Sequence, residues 1–317
     1  MSLLKIGFLS LFVFVLAGCQ GGLPADQESP KVGLLVPETI NDQVWGTKGY
    51  RGLLSIQSKY DLDVYYKEDV ESEAAIKQAV VEYASKGVTL LFGHGNQYTE
   101  VFNEIASTYP DIQFISFNGQ ATEVNTTSLQ FEGRAMGFFG GMVAAAESET
   151  RRIGVLAAFD WQPEVTGFVE GAAYEAEDVE VFVEYVENWD DEEKALQQLD
   201  TLLAKQVDVV YPAGDGFNVP VIEEVKERGL YVIGYVSDQS DLGEATVLTS
   251  TIQQVDQLYE LVADKYLEGE LEGGNPTFDF QDGVISLGAF SPNVGEEVRS
   301  RVEEEIQKFI DSGELPK

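Results

Sequence analysis

The chain is predicted to be α/β, built as two doubly wound lobes that are each a parallel sheet covered by helices. Three observations predict this. Short, continuously apolar runs of strand length recur along the chain, and Pro, Gly or Asx residues cut them off. Between them lie stretches with apolar residues at helical spacing. After a polar break the alternation starts again, giving two series of similar length. Strands alternating with helices form parallel sheets buried on both faces, which is why such strands read as unbroken apolar runs.

The first series opens with Lys31–Val36, stopped by Pro37, followed by a helix over Gln43–Tyr60 with Val44, Leu53, Leu54 and Ile56 apolar. A strand over Leu62–Tyr66 precedes a helix over Glu71–Lys86, whose Ala75, Ile76, Ala79, Val80 and Tyr83 share one face. Strand Val88–Phe92, helix Thr99–Thr108 and strand Gln113–Phe117 complete the series. Asn118–Thr127 is polar and turn-rich. Extended Ser128–Phe131 then leads into a small-residue helix, Gly133–Ala146, suited to close packing. The second series runs strand Arg152–Leu156, helix Glu164–Ala176, strand Val179–Tyr185, helix Asp191–Lys205, strand Val207–Tyr211, helix Val219–Arg228 and strand Tyr231–Tyr235. Val247–Thr249, a helix over Ile252–Leu267, short strands near Thr277–Phe280 and Val284–Leu287, and a closing helix over Val294–Asp311 end the chain.

Ahead of these elements lies a charged start (Lys5), the apolar run Ile6–Leu16 and the site Leu16-Ala17-Gly18-Cys19. This is the layout of a secretory signal peptide, and its run is too short to span a bilayer. A small-residue site ending in cysteine is the bacterial lipobox pattern. Residues 1–18 are therefore expected to be a signal peptide and Cys19 the point of lipid attachment. Residues 19–30 would form a spacer tethering the chain to the extracytoplasmic face of the cell membrane. Cys19 is the only cysteine among 317 residues, so neither an intrachain disulfide nor a cysteine-based metal site is available.

The net charge of −35 opposes direct nucleic-acid binding, which depends on Lys and Arg neutralising phosphates. It equally suits a solvated surface facing a saline or alkaline exterior. Enzyme chemistry lacks parts. His94 is the only histidine, and no dinucleotide or phosphate-loop glycine pattern is complete. No catalytic residue, metal site or cofactor is expected.

Ligands of open parallel sheets bind beyond the carboxyl ends of the strands. There the chain carries Asn41, Asp42, Trp45, His94, Asn96, Asn118, Phe159, Asp160, Trp161, Asp215, Phe217, Asn218, Ser237, Asp238, Gln239 and Asp241. Aromatic faces with amides and carboxylates suit a small, flat ligand bearing hydroxyls. Any one of these Asx residues could instead cap a helix or shape a turn, and Trp45 and Trp161 could pack beneath loops.

Together, the lipobox, Lys31–Val36, Asp42-x-x-Trp45 ahead of Gly52-Leu53, Arg152–Val155, Gly171, Val207–Val210, Ala213-Gly214 and Ile233–Gln239 resemble BMP-type (basic membrane protein) solute-binding lipoproteins. The likeness is nearest to a bacillar branch linked to competence-gene regulation. It is more distant to nucleoside receptors of ABC importers. It implies a type I periplasmic-binding architecture, with lobes over 31–118 plus 240–272 and over 119–239 plus 273–317. It also implies a ligand site of Asp42, Trp45, Asn118 and Asp238, with Asp238 taking ribose-like hydroxyls and Trp45 stacking the base, and Phe217, from the loop after Val207–Tyr211, is expected to complete the wall. Three positions depart from the family pattern: Gly46 for asparagine, Asn118 for aspartate and Gln253 for a ligand-contacting lysine. These departures point away from ordinary purine nucleosides. The implied partners are a small-molecule ligand of nucleoside type, the membrane through the anchor, and an ABC permease or a membrane signalling protein. Any effect on competence-gene transcription would be indirect.

Overall fold

The computed structural model describes residues 29–40 and 45–317. The expected signal peptide, Cys19, most of the spacer and Asp42 fall outside the described residues. In chain order the first elements are β1 (Lys31–Leu35), α1 (Trp45–Tyr60), β2 (Asp63–Lys67), α2 (Glu73–Ser85), β3 (Val88–Gly93), α3 (Gln97–Ile105), β4 (Gln113–Phe117) and β5 (Thr126–Phe131). Next come α4 (Gly133–Glu147), β6 (Arg152–Ala157), α5 (Pro163–Glu175), β7 (Glu180–Tyr185), α6 (Glu192–Ala204) and β8 (Val209–Ala213). They are followed by α7 (Asn218–Glu227), β9 (Tyr231–Gly234), β10 (Val247–Gln253), α8 (Val255–Glu268), β11 (Thr277–Phe278), β12 (Ile285–Leu287) and α9 (Glu296–Ser312).

Local chemistry marks many of these limits. The Ser72 hydroxyl caps α2 by accepting from Ala75 N at 3.3 Å, and the Asp191 carboxylate caps α6 from Lys194 N at 3.0 Å. Pro163 starts α5, where its missing N–H costs nothing. Gly269 ends α8 in the left-handed region at φ 73°. Val247, Thr249, Thr251 and Ile252 are β-branched and keep the chain extended to Gln253, so α8 begins three residues later than its apolar spacing predicts.

The strands form two sheets of the same order. The first is β2-β1-β3-β4-β5-β11 and parallel throughout. The second is β7-β6-β8-β9-β10-β12, parallel except where β12 runs antiparallel to β10. Each sheet reverses its strand order once, between β1 and β3 and between β6 and β8, and each crevice at such a point is a natural ligand position.

The lobes divide elsewhere than the polar stretch after Asn118 predicts. That stretch belongs to the first lobe, because β5 pairs with β4 and the Asn125 amide donates to the carbonyls of Ala106, Tyr109 and Ile112. The chain leaves the first lobe at Glu132, between β5 and α4. β10 lies in the second sheet, so the chain returns to the first lobe at Gln254, where α8 packs beside Leu53 and Ile56 of α1. Polarity between elements marks a loop but not which side of a cleft the next strand joins.

Glycines let α4 and α5 approach closely. A Cβ at Gly137 or Gly141 would collide with the backbone of Glu164 or Phe168, and one at Gly167 or Gly171 with the backbone of Arg134 or Phe138. This pair covers one face of the second sheet, joined by Phe139, Val155, Tyr211 and Ile233 in its core.

Candidate functional site

On the first lobe the candidate site lies beyond the carboxyl ends of the paired strands β1, β3 and β4. Trp45 opens α1, half-buried, and its indole stacks on His94 with centroids 4.3 Å apart and planes at 14°. Phe117, the last residue of β4, meets both rings edge-on at 5.5 Å and 5.0 Å. His94 is fully buried. Its Nε2 lies 2.7 Å from the Trp45 carbonyl, which can only accept, so Nε2 carries the proton. Nδ1 then accepts from the Tyr259 hydroxyl at 2.9 Å. With both nitrogens engaged, His94 supports the indole and is not placed as a base. α1 can lie this near because Gly49 faces the imidazole, where a Cβ would come within 2.6 Å.

Asn118 follows Phe117 at φ 54°, a left-handed conformation that asparagine tolerates better than most residues. Its N–H donates to Leu129 O at 3.0 Å. Its exposed side-chain amide makes no hydrogen bond among the described residues.

On the second lobe, Gln162 ties the strand ends together. Its Oε1 accepts from Phe159 N at 2.8 Å, and its Nε2 donates to Ala213 O at 3.1 Å and Tyr235 OH at 3.4 Å. Beyond it, Phe159 stacks on Trp161 at 5.4 Å, and both meet Trp189 edge-on at 5.3 Å and 6.0 Å. Trp161 is 62 % exposed, so this platform faces water.

The segment Ile233–Gln239 has a structural logic of its own. Buried Gln239 accepts from Tyr235 N at 2.8 Å through Oε1 and donates its own N–H to Ser250 Oγ at 3.0 Å. Gly234 is needed there because a Cβ would strike the Ser250 hydroxyl. Asp238 is exposed, and its carboxylate accepts from Ser240 N at 3.1 Å and Ala289 N at 3.2 Å. A carboxylate has about four lone-pair positions, so two remain for another donor.

Phe217 is a correction. Expected in the ligand wall because it follows a strand end, it is fully buried among Leu156, Leu202, Val221 and Val225, with its ring over Gly214. It packs α7 onto β8 and offers no face to a ligand. Asp42 lies outside the described residues.

Three further groups escaped the sequence reading. Trp189 follows β7 in the same way that Trp161 follows β6, a positional signal that was available. Lys48 gave none, sitting in the first turn of α1 between Gly46 and Gly49. Its ammonium reaches the second lobe and donates to Val236 O at 2.7 Å and Gln253 O at 3.0 Å. Burial pushes it down to about 8, against the attraction of Asp215 and Asp256. Glu164, in the first turn of α5, is buried beside Tyr211 and Tyr235, and burial pushes its carboxyl up to about 7. An open groove of about 490 Å³ between β12 and α9 runs beside Gly288 and Ala289, the backbone against which Asp238 is held.

This arrangement offers stacking faces, carboxylates and amides on two opposed lobes, and the comparisons with known proteins agree with that. The chain is 52 % identical to the "Transcriptional activator protein med" of Bacillus subtilis over 96 % of both chains. It is similar to a crystal structure described as a transcriptional activator of the comK gene from Bacillus halodurans, at TM-score 0.87 and 52 % identity. That likeness covers 90 % of this chain and 100 % of the other. A more distant relative, 25 % identical over 94 % of this chain and 93 % of its own, is the "ABC transporter nucleoside-binding protein BmpA" of Lactococcus lactis. Residues 29–317 match the model of the family described as Bmp, ABC transporter substrate-binding protein PnrA-like, and the chain belongs to that family.

Proposed function

We propose that this chain is a lipid-tethered, extracytoplasmic ligand-binding protein without catalytic activity that promotes competence-gene transcription indirectly. The 52 % identity, along nearly the whole of both chains, to a relative named as a transcriptional activator carries this reading. The net charge of −35 argues that the route to transcription does not run through DNA contact. Cys19 holds the anchor. In the cleft, Trp45 stacks a flat ligand, Asp238 accepts its hydroxyls with the lone pairs its backbone partners leave over, and the free amide of Asn118 adds a polar contact. Asp42, outside the described residues, is the remaining member of the proposed site. The Trp161 and Trp189 platform supplies the aromatic surface of the opposite lobe that Phe217 does not.

A reporter of competence-gene transcription tests the regulatory part. Deleting the chain should lower the signal, wild type should restore it, and Cys19→Ala should not. A reporter indifferent to the deletion would sink the regulatory reading.

A second reading, a nucleoside receptor serving an ABC importer, is favoured by the Lactococcus relative named for nucleoside binding. Calorimetric titration with a nucleoside panel should give heat that Asp238→Ala weakens. No heat with any nucleoside would remove that version.

A further inference from the structure

We propose that Lys48 is an interlobe latch, a positioning residue that holds the two lobes in their observed relation and so sets the fraction of molecules able to grip a ligand. α1 belongs to the first lobe. Val236 lies two residues beyond the end of β9 and Gln253 ends β10, both of the second, and Gln253 stands immediately before the chain crosses back. The Lys48 ammonium donates to both carbonyls, at 2.7 Å and 3.0 Å. The Val236 carbonyl also accepts from Gln253 N at 3.0 Å, so a single oxygen joins α1 to the ends of two strands at the crossover.

The backbone there is strained. Val236 sits at φ 64°, which a β-branched residue adopts only when its surroundings over-determine it. Asp215 from the end of β8 and Asp256 from α8 attract the ammonium, while Arg51 on α1 repels it. Separating the lobes pulls α1 from the second sheet, and these bonds do not survive beyond about 3.5 Å.

Burial holds Lys48 at about 8, below its ordinary 10.5, whereas an open cleft returns it to water. The joined form therefore binds fewer protons between those values, and rising pH across that window favours it. A neutral amine fits the site, with two N–H groups for two carbonyls. The consequence for affinity rests on the cleft reading above, because apparent affinity scales with the competent fraction. The latch geometry does not rest on it.

The test uses the full chain with Cys19→Ser and spin labels at Val81→Cys and Val219→Cys, both exposed and on different lobes. Interlobe distances are measured by electron–electron resonance without added ligand, from pH 7 to pH 10. Wild type should hold a short, narrow population that grows with pH. Lys48→Met should lose that population and its pH response, whereas an unchanged distribution in Lys48→Met overturns the proposal. If Lys48→Met does not fold, the wild-type series decides: growth of the short population supports the latch and indifference to pH overturns it. Absence of nucleoside heat alongside a lost short population removes the nucleoside reading and leaves the latch standing.

Discussion

Trp45 and His94 hold each other reciprocally: the indole Nε1 donates to the His94 carbonyl at 3.3 Å, and His94 Nε2 returns a bond to the Trp45 carbonyl at 2.7 Å. With the rings stacked as well, the indole is fixed before any ligand arrives, and a fixed aromatic loses little entropy on binding. Trp45→Ala should weaken ligand binding about tenfold, roughly the 1.4 kcal/mol at the upper end of an aromatic pair. Trp45→Phe should keep most of the affinity. Titration of the two variants checks this, and equal losses in both would show that the ring face is not what the ligand meets.

Phe217 separates packing from recognition. Emptying its fully buried position with Phe217→Ala should cost about 3–5 kcal/mol of stability, read by urea denaturation. Affinity measured on the folded fraction should not change. A selective loss of affinity with stability intact would restore the ring to the ligand wall.

Glu164 predicts a pH dependence of stability. Its folded carboxyl is raised from 4.5 to about 7, so the folded state binds this proton more tightly than the unfolded chain. That contribution is complete below pH 4.5 and is lost as pH rises through 7, a change of about 3 kcal/mol by pH 8. Glu164→Gln should therefore raise Tm at pH 8 and differ little from wild type near pH 4.5. A Tm difference that ignores pH would contradict this origin.

The α4–α5 contact makes a contrast between neighbouring glycines. Gly167→Ala drives a methyl into the Arg134 carbonyl and should cost about 3 kcal/mol or more. At Gly140 the nearest atom is a Thr251 methyl at 3.2 Å, so Gly140→Ala should be tolerated far better. Thermal denaturation of the pair checks it, and similar Tm values would mean that the helices can slide apart.

Much of the fold was legible. Lys31–Val36, Val88–Phe92 and Arg152–Leu156 announced themselves as strands because burial on both faces leaves no polar alternate positions. Helices such as α2 declared one apolar face, although the Ser72 cap that sets its start two residues later than expected went unread. The three crossovers, at Glu132, at Gln254 and between β11 and β12, were not legible, since a turn-rich stretch looks the same within a lobe as between lobes. Trp45 and Phe217 satisfied the same positional rule, an aromatic just beyond a strand, yet one ring lies half-exposed on His94 and the other is buried over Gly214.

The amino-acid order by itself determined the layered α/β architecture and the strand ends on which a site must be built, because apolar period and cap chemistry act within a few residues. Only the tertiary structure decided which strand-end side chains are buried, which are exposed, and which residue joins the two lobes. Lys48 meets carbonyls 188 and 205 residues away, and no local pattern specifies a partner at that separation.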